Sequence, residues 1–385
     1  MKQSNQSSLS KALPVFMAFY VMGFGDIVGV ATGYARLELG LSNALTQVLT
    51  MLAFVWFALL SVPVGIFQDK RGKKFTVNLG ILFIGLGMLV PILAYTYYGM
   101  LASFTLLGIG NTIIQVSANP LMQDVSPAHR LSRNLTLSQF VKAIAGMLGP
   151  SIAAFCAIRF HNWTYLYPAY LAICVLAILW LRATYIPETG SGGRASIKSA
   201  LSLLADRKVA LLVTGTFLMV GFDVGMNTNI AGYLRQSFGV SQEEGSLGIS
   251  IYFAALMAGR FLSALLLGRM KGNQMLLCCA ILSVLAFASL YVAPGLLAGQ
   301  IAIFLVGLFT AAIFPLIFSA GLQYMPQRAN ELSGLMIMSV CGGGIIPPLA
   351  GVVNDFTGLM PSLILLGLCL VYVICLALYI IKNKL

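Results

Sequence analysis

The ionisable residues Asp26, Lys142 and Asp223 stand deep inside long apolar runs of this 385-residue chain. A charge in such a place costs several kcal/mol unless it is paired or hydrated, so it normally faces a cavity and marks an ion or substrate path. A carboxylate there can load and release a proton, and a Lys–Asp pair that opens when the acid is protonated is a coupling switch. Asp26, Asp223 and Lys142 are therefore the proton-coupling candidates, with Lys142 also able to receive a substrate carboxylate. The blander readings are an Asp that only ties helices together and a Lys that snorkels to the interface. A second set is amides: Asn111, Gln115 and Asn119 in one run, Gln139 in the next, and Asn227 and Asn229 beyond Asp223. Amide groups grip hydroxyls. At i,i+4 spacing Asn111, Gln115 and Asn119 form one stripe of a helix, which suits a cavity wall, with interhelical bonding as the rival. Tyr20, Tyr34, Trp56, Tyr233, Tyr252 and Phe314 are candidate partners for the C–H face of a ring.

Hydrophobic residues make up 59% of the chain and charged residues only 9%, with mean hydropathy +0.92. That is too few charges for a water-facing surface and too many apolar side chains for disorder. A spanning helix needs about 20 apolar residues, which leaves room for about twelve. Apolar runs lie at 13–36, 44–67, 75–95, 99–121, 133–157 and 163–184, and again at 209–234, 246–268, 274–294, 297–320, 331–353 and 360–381. The fold expected is an all-α polytopic membrane protein of twelve transmembrane helices in two pseudo-symmetric six-helix halves. Its expected parts are an N-terminal bundle 1–184, a linker 185–208 and a C-terminal bundle 209–385.

Charge fixes the expected orientation. The net charge is +12 from 23 Lys and Arg. Apart from Arg36, Arg159, Arg235 and the intramembrane Lys142 and Arg260, these cations lie on the side of the N-terminus, the linker and the C-terminus. The positive-inside rule then puts both termini in the cytoplasm and explains the basic pI without nucleic acid. Arg260 is read as a structural charge. The seven cysteines fall in apolar runs without CxxC spacing or a nearby His, so they read as core residues and no metal site is expected. The first apolar run is too long, and too polar at Asp26, for a cleavable signal.

The halves repeat. Gly23-Phe24-Gly25-Asp26, Gly33-Tyr34-Ala35-Arg36 and Gly40-Leu41 are echoed by Gly221-Phe222-Asp223, Gly232-Tyr233-Leu234-Arg235 and Gly239-Val240. Internal duplication of a six-helix unit points to a secondary transporter with its site near mid-membrane.

The segment Gly65-Ile66-Phe67-Gln68-Asp69-Lys70-Arg71-Gly72-Lys73-Lys74 resembles the hallmark loop of the major facilitator superfamily. Gly65 permits close helix approach, Asp69 can cap or pair at a helix end, and the cations face the cytoplasm. Gly65, Asp69, Lys70, Arg71, Gly72, Lys73 and Lys74 are the candidate gating loop. Further stretches resemble the fucose permease family of sugar–proton symporters. They are Gln115-Val116-Ser117-Ala118-Asn119-Pro120, Arg133-Asn134-Leu135 with Gln139, Gly259-Arg260-Phe261, Phe314-Pro315-Leu316 and Gly342-Gly343-Gly344 with Pro347-Pro348. The resemblance implies the major facilitator fold and a monomeric carrier that imports a monosaccharide with a proton by alternating access. It implies a bacterial inner membrane and no cofactor, the coupling ion being H⁺ with Na⁺ as the alternative. The partners implied are a sugar, protons and the lipid bilayer. The family's first-helix carboxylate falls on Asp26. Its fourth-helix carboxylate falls on Gln115, which carries no proton, and a neutral amide of its fifth helix falls on Lys142.

The leading reading is proton-coupled import of a neutral monosaccharide. The alternatives are symport of an anionic sugar, a uronic or sialic acid with Lys142 as counter-ion, and a drug/proton antiporter suggested by Gly146-Met147-Leu148-Gly149-Pro150. An enzyme would need a nucleophile–base pair or metal ligands, and none stands out.

Overall fold

Turn and cap chemistry sets where the apolar runs become helices. A computed structural model describes residues 8–41, 43–189 and 196–383, and the side chain of Asp26 lies outside the described residues. The first helices are α1 (Ser8–Met22), α2 (Val28–Glu38), α3 (Asn43–Arg71), α4 (Lys73–Leu93), α5 (Tyr97–Val125), α6 (Leu131–Phe160), α7 (Leu166–Ala183) and the short α8 (Ile197–Ser202). Then come α9 (Arg207–Phe238), α10 (Gln242–Leu266), α11 (Gly272–Ser289), α12 (Leu296–Thr310), α13 (Ile313–Tyr324), α14 (Ala329–Met338), α15 (Gly342–Thr357) and α16 (Leu359–Lys382). No strand occurs among the described residues.

Ten of the described helical segments are long and apolar enough to cross a membrane, and Ser10–Gly25 is a shorter apolar one. The 29 residues of α3 also exceed the roughly 20 needed to span. Three expected single runs are broken. A short 3-10 turn, Gly23–Ile27, divides α1 from α2, and another, Ser339–Cys341, divides α14 from α15. Between α12 and α13 the break precedes Pro315, which cannot donate to the carbonyl four residues earlier. Discontinuous spans of this kind are where transporters line their sites.

The repeat seen in the sequence has a backbone meaning. Gly40 after α2 and Gly239 after α9 both take the left-handed conformation, with φ of +63° and +69°, and the Gly239 amide bonds back to Arg235 O. Only glycine enters that region without strain, so the repeated glycines are equivalent helix stops. Side-chain caps start other helices: Thr96 accepts from Gly99 N, and Ser241 with Glu244 forms a capping box on α10.

The chain forms two compact units. One comprises Met1–Ala128, Ser138–Leu201 and Pro326–Met338, and the other His129–Leu137, Ser202–Met325 and Ser339–Leu385. In the first unit α4 lies along α5, where Ser103 Oγ donates to Gly87 O at 2.7 Å. At the end of α2, Glu38 Oε2 accepts from Tyr95 Oη (2.7 Å) and Trp163 Nε1 (2.9 Å), and Tyr34 stacks on Trp163 at 4.8 Å. Burial and the Glu38 carboxylate push the Tyr95 phenol above its ordinary value. In the second unit α9 packs against α10, α15 and α16, and α10 against α12. Large apolar side chains such as Leu176, Leu285 and Leu368 are exposed, as lipid-facing residues must be, since hydrocarbon imposes no cost on them.

Candidate transport site and gating loop

In the first unit the amide stripe of α5 is buried. Asn111, Gln115 and Asn119 are all at most 8% exposed, and Asn119 Nδ2 donates to Gln115 O. The glycine-rich turn after α1 fits closely between neighbours. A side chain at Gly23 would collide with Lys142 O and Ala145 of α6, and one at Gly25 with the Asn111 amide. This turn therefore sits beside both Asn111 and the Lys142 backbone. Asn111 Oδ1 is buried with no hydrogen-bond partner among the described residues. Gln139 is buried on α6, and Lys142 is half-buried there. Among the described residues Lys142 forms no ion pair. Asp26 belongs to the Gly23–Ile27 turn, and its carboxylate lies outside the described residues.

The second unit carries its own polar group. Asp223 on α9 is half-buried, and its Oδ1 accepts from Tyr252 Oη at 2.6 Å. Tyr252 is wholly buried on α10, two turns before Arg260 on the same helix. Asn227, one turn beyond Asp223 on the same stripe of α9, has a buried Oδ1 with no described partner. Asn229 donates to Gly225 O at 2.8 Å, so part of its amide is used within the helix. Of the aromatic candidates, Tyr34 is stacked on Trp163, Tyr233 donates to Leu290 O and Tyr252 to Asp223. Their rings serve protein partners.

The loop residues work through partners that are remote in sequence. Near the end of α3, Gly65 lies against α14: a side chain at Gly65 would fall 2.7 Å from Asn330 O and 3.2 Å from the Gly334 Cα. Glycine at both positions is what lets these helices touch. Asn330 is then held at both ends of its residue. Its Nδ2 donates to Asp69 Oδ1 at 3.1 Å, and its carbonyl accepts from Gln68 Nε2 at 3.3 Å. Ser333 Oγ donates to Val116 O at 2.6 Å, which ties α14 to α5 as well.

The four cations of the loop divide. Lys70 and Arg71 are exposed. Lys73, expected to face water, is instead buried and pairs with Asp124 Oδ2 at 2.6 Å, the two side chains 4% and 1% exposed. It also donates to Thr189 O at 3.0 Å, and the Thr189 hydroxyl bonds to Asp124. Gly72, at φ +90°, turns the chain into α4. The free N–H groups of that helix start, Lys73 N and Lys74 N, both donate to the Glu188 carboxylate. An anion at a helix N-terminus satisfies orphan donors and the helix dipole together. Lys74 Nζ donates to Arg182 O (3.0 Å) in the last turn of α7 and to Thr184 O (2.7 Å) just past its end. Asp124, Glu188 and Asn330 were not among the residues singled out from the sequence. The only local sign was an acid at the end of α5, where the dipole disfavours one.

Similarity to known proteins follows the same outline. The chain is 25% identical over 364 residues to the putative glucose/galactose transporter of Helicobacter pylori strain J99, covering 87% of this chain and 88% of that protein. It is 23% identical over 377 residues to the L-fucose-proton symporter of Haemophilus influenzae, covering 88% and 87%. Among solved structures, the Major Facilitator Superfamily transporter FucP in the outward conformation superposes with a TM-score of 0.85 at 20% identity, covering 97% of this chain and 99% of that one. The family model of the Major Facilitator Superfamily matches residues 15–348 and, separately, 215–384. The broken spans, the duplicated halves and the loop around Asp69 thus have one explanation: the chain belongs to the Major Facilitator Superfamily.

Proposed function

We propose that this multi-pass membrane protein is a secondary active transporter that imports a monosaccharide by proton-coupled symport with alternating access. The observation that carries the substrate class is Asn111 Oδ1 of the first unit, a buried amide oxygen with no hydrogen-bond partner among the described residues, and within the second unit Asn227 Oδ1 is in the same condition. A buried acceptor without a donor costs about 1–3 kcal/mol. A sugar supplies hydroxyl donors that relieve this cost, whereas a lipophilic drug does not. Relatives described as a glucose/galactose transporter and an L-fucose-proton symporter support the same class. Asn111, Gln115, Asn119, Gln139, Asn227 and Asn229 are the proposed hydroxyl contacts.

Asp26 and Asp223 are the proposed proton carriers. Protonation of a carboxylate removes its attraction for Lys142, and sugar binding to the protonated form couples the two fluxes. The coupling ion is H⁺ in this reading, with Na⁺ as the alternative. The carrier acts as a monomer in a bacterial inner membrane, both termini cytoplasmic. Asp69 and its bond to Asn330 belong to the gate, which must break and re-form as the site changes sides. A second reading, symport of an anionic sugar, is favoured by one observation: Lys142 is half-buried without an ionic partner among the described residues.

The test is uptake by purified protein in proteoliposomes, with labelled neutral hexoses and sugar acids offered under an inward pH gradient. Gradient-stimulated hexose uptake that is lost in Asn111→Leu supports the proposal. Uptake restricted to sugar acids, and lost in Lys142→Gln, selects the second reading. Transport of neither class refutes both.

A further inference from the structure

A groove on the first unit, between α4 and α7, has a layered chemistry that the proposed sugar and proton contacts do not use. It encloses about 550 Å³. At its rim stand Lys74, in the first turn of α4, and Arg182, in the last turn of α7. Lys74 Nζ spends two of its three donors on Arg182 O and Thr184 O, which leaves one for a ligand. Arg182 is exposed. Glu188 also reaches the rim, but its two oxygens accept from the backbone N–H groups of Lys73 and Lys74. Its charge is therefore set against the α4 N-terminus, and the rim stays cationic.

One turn further in lies Asn78, 7% exposed. Its Nδ2 donates to Lys74 O at 3.0 Å, while its Oδ1 is buried with no hydrogen-bond partner among the described residues. Phe75 adjoins Lys74 in the first turn of α4, Ile178 stands one turn before Arg182 on α7, and beyond Asn78 the lining continues apolar with Leu82; Phe75 and Leu82 are exposed. Cations at the rim, then a lone acceptor, then hydrocarbon is the order of an acidic amphiphile read from head to tail.

We propose that this groove binds an anionic phospholipid of the surrounding bilayer whose headgroup carries a free hydroxyl, of the phosphatidylglycerol type. The phosphate sits between Lys74 and Arg182, a headgroup hydroxyl donates to Asn78 Oδ1, and an acyl chain covers Phe75, Leu82 and Ile178. Inorganic phosphate would meet the rim alone and leave the apolar floor bare. Basic pockets between spanning helices at a membrane face are a recurrent site for acidic headgroups.

The test is native mass spectrometry of the full chain in detergent, titrated with phosphatidylglycerol, phosphatidic acid and phosphatidylcholine of matched acyl chains. The wild type retains phosphatidylglycerol over phosphatidylcholine, and Arg182→Gln reduces that preference by about fivefold, the share of one cation near a membrane surface. Asn78→Leu removes the acceptor and abolishes the preference of phosphatidylglycerol over phosphatidic acid, which lacks a headgroup hydroxyl. Thermal midpoints in phosphatidylcholine confirm that each variant is folded, and the Asn78 arm stands alone if Arg182→Gln is not. Equal retention of all three lipids by the wild type overturns the proposal. So does an unchanged preference in both variants, or release of bound lipid by excess inorganic phosphate.

Discussion

Replacing Lys73 by Met strands the Asp124 carboxylate. In the native protein the two charges are 2.6 Å apart and almost wholly buried. At an effective dielectric of about 20 their attraction is roughly 6 kcal/mol. Removing each ion from water costs several kcal/mol, so the intact pair is close to neutral against a well-packed apolar pair. Its disruption is not. Lys73→Met leaves a buried anion whose remaining partner among the described residues is the Thr189 hydroxyl, and such losses run to about 3–5 kcal/mol. Asp124→Leu leaves a buried ammonium that keeps its bonds to the Thr189 carbonyl and hydroxyl but has lost its counter-charge. The double variant Lys73→Met/Asp124→Leu removes both charges and recovers most of that loss, so the cycle is strongly non-additive. The assay is thermal unfolding of the four proteins in one detergent, followed by tryptophan fluorescence. High salt leaves the order unchanged, because buried pairs are little screened. A Lys73→Met protein that melts with the wild type, or a double variant that is merely additive, refutes the burial argument.

Three further outcomes follow from the geometry. Gly65→Val places a branched side chain where Asn330 O stands 2.7 Å from a bare Cβ, so transport is abolished, whereas Gly344→Ala, with nothing within 4 Å, keeps activity and gains up to about 1 kcal/mol of stability; uptake and thermal midpoints check both. Tyr252→Phe deletes the donor to Asp223 and costs about 1.5–3 kcal/mol, the range for bonds to charged groups; the midpoint of the variant measures it. Burial and Glu38 raise the Tyr95 phenol above its ordinary 10.0, so its contribution is complete below that value and fades as pH rises through the higher folded one. Tyr95→Phe therefore lowers stability at pH 8 by about 0.5–1.5 kcal/mol and flattens the alkaline decline, which a pH series of melting curves reads.

The spans were legible because hydrocarbon demands length and apolarity of each one separately, a local property of the chain. The glycine stops at Gly40 and Gly239 were visible as a repeat, although their left-handed geometry is a matter of backbone. What one sequence conceals is partnership over distance. Lys73 looked like a water-facing cation because its neighbours Lys70, Arg71 and Lys74 are basic; its burial depends on Asp124 at the end of α5 and Thr189 in the segment after α7. Glu188 read as part of a polar linker, yet it closes the N-terminus of α4. Asn330 had no local mark at all, being an ordinary residue made specific by the approach of Gly65 to Gly334. The breaks in the spans were hidden because hydropathy averages over a turn, although Gly23, Pro315 and Gly342 to Gly344 supplied the cause.

The central claim is that sugar and proton move together. The most direct measurement is external pH around de-energised proteoliposomes when a hexose that the protein takes up is added without any imposed gradient. The account predicts prompt alkalinisation of the medium, abolished by a protonophore and absent in Asp26→Asn. Sugar entry with no pH change, or entry that requires Na⁺ instead, would contradict it.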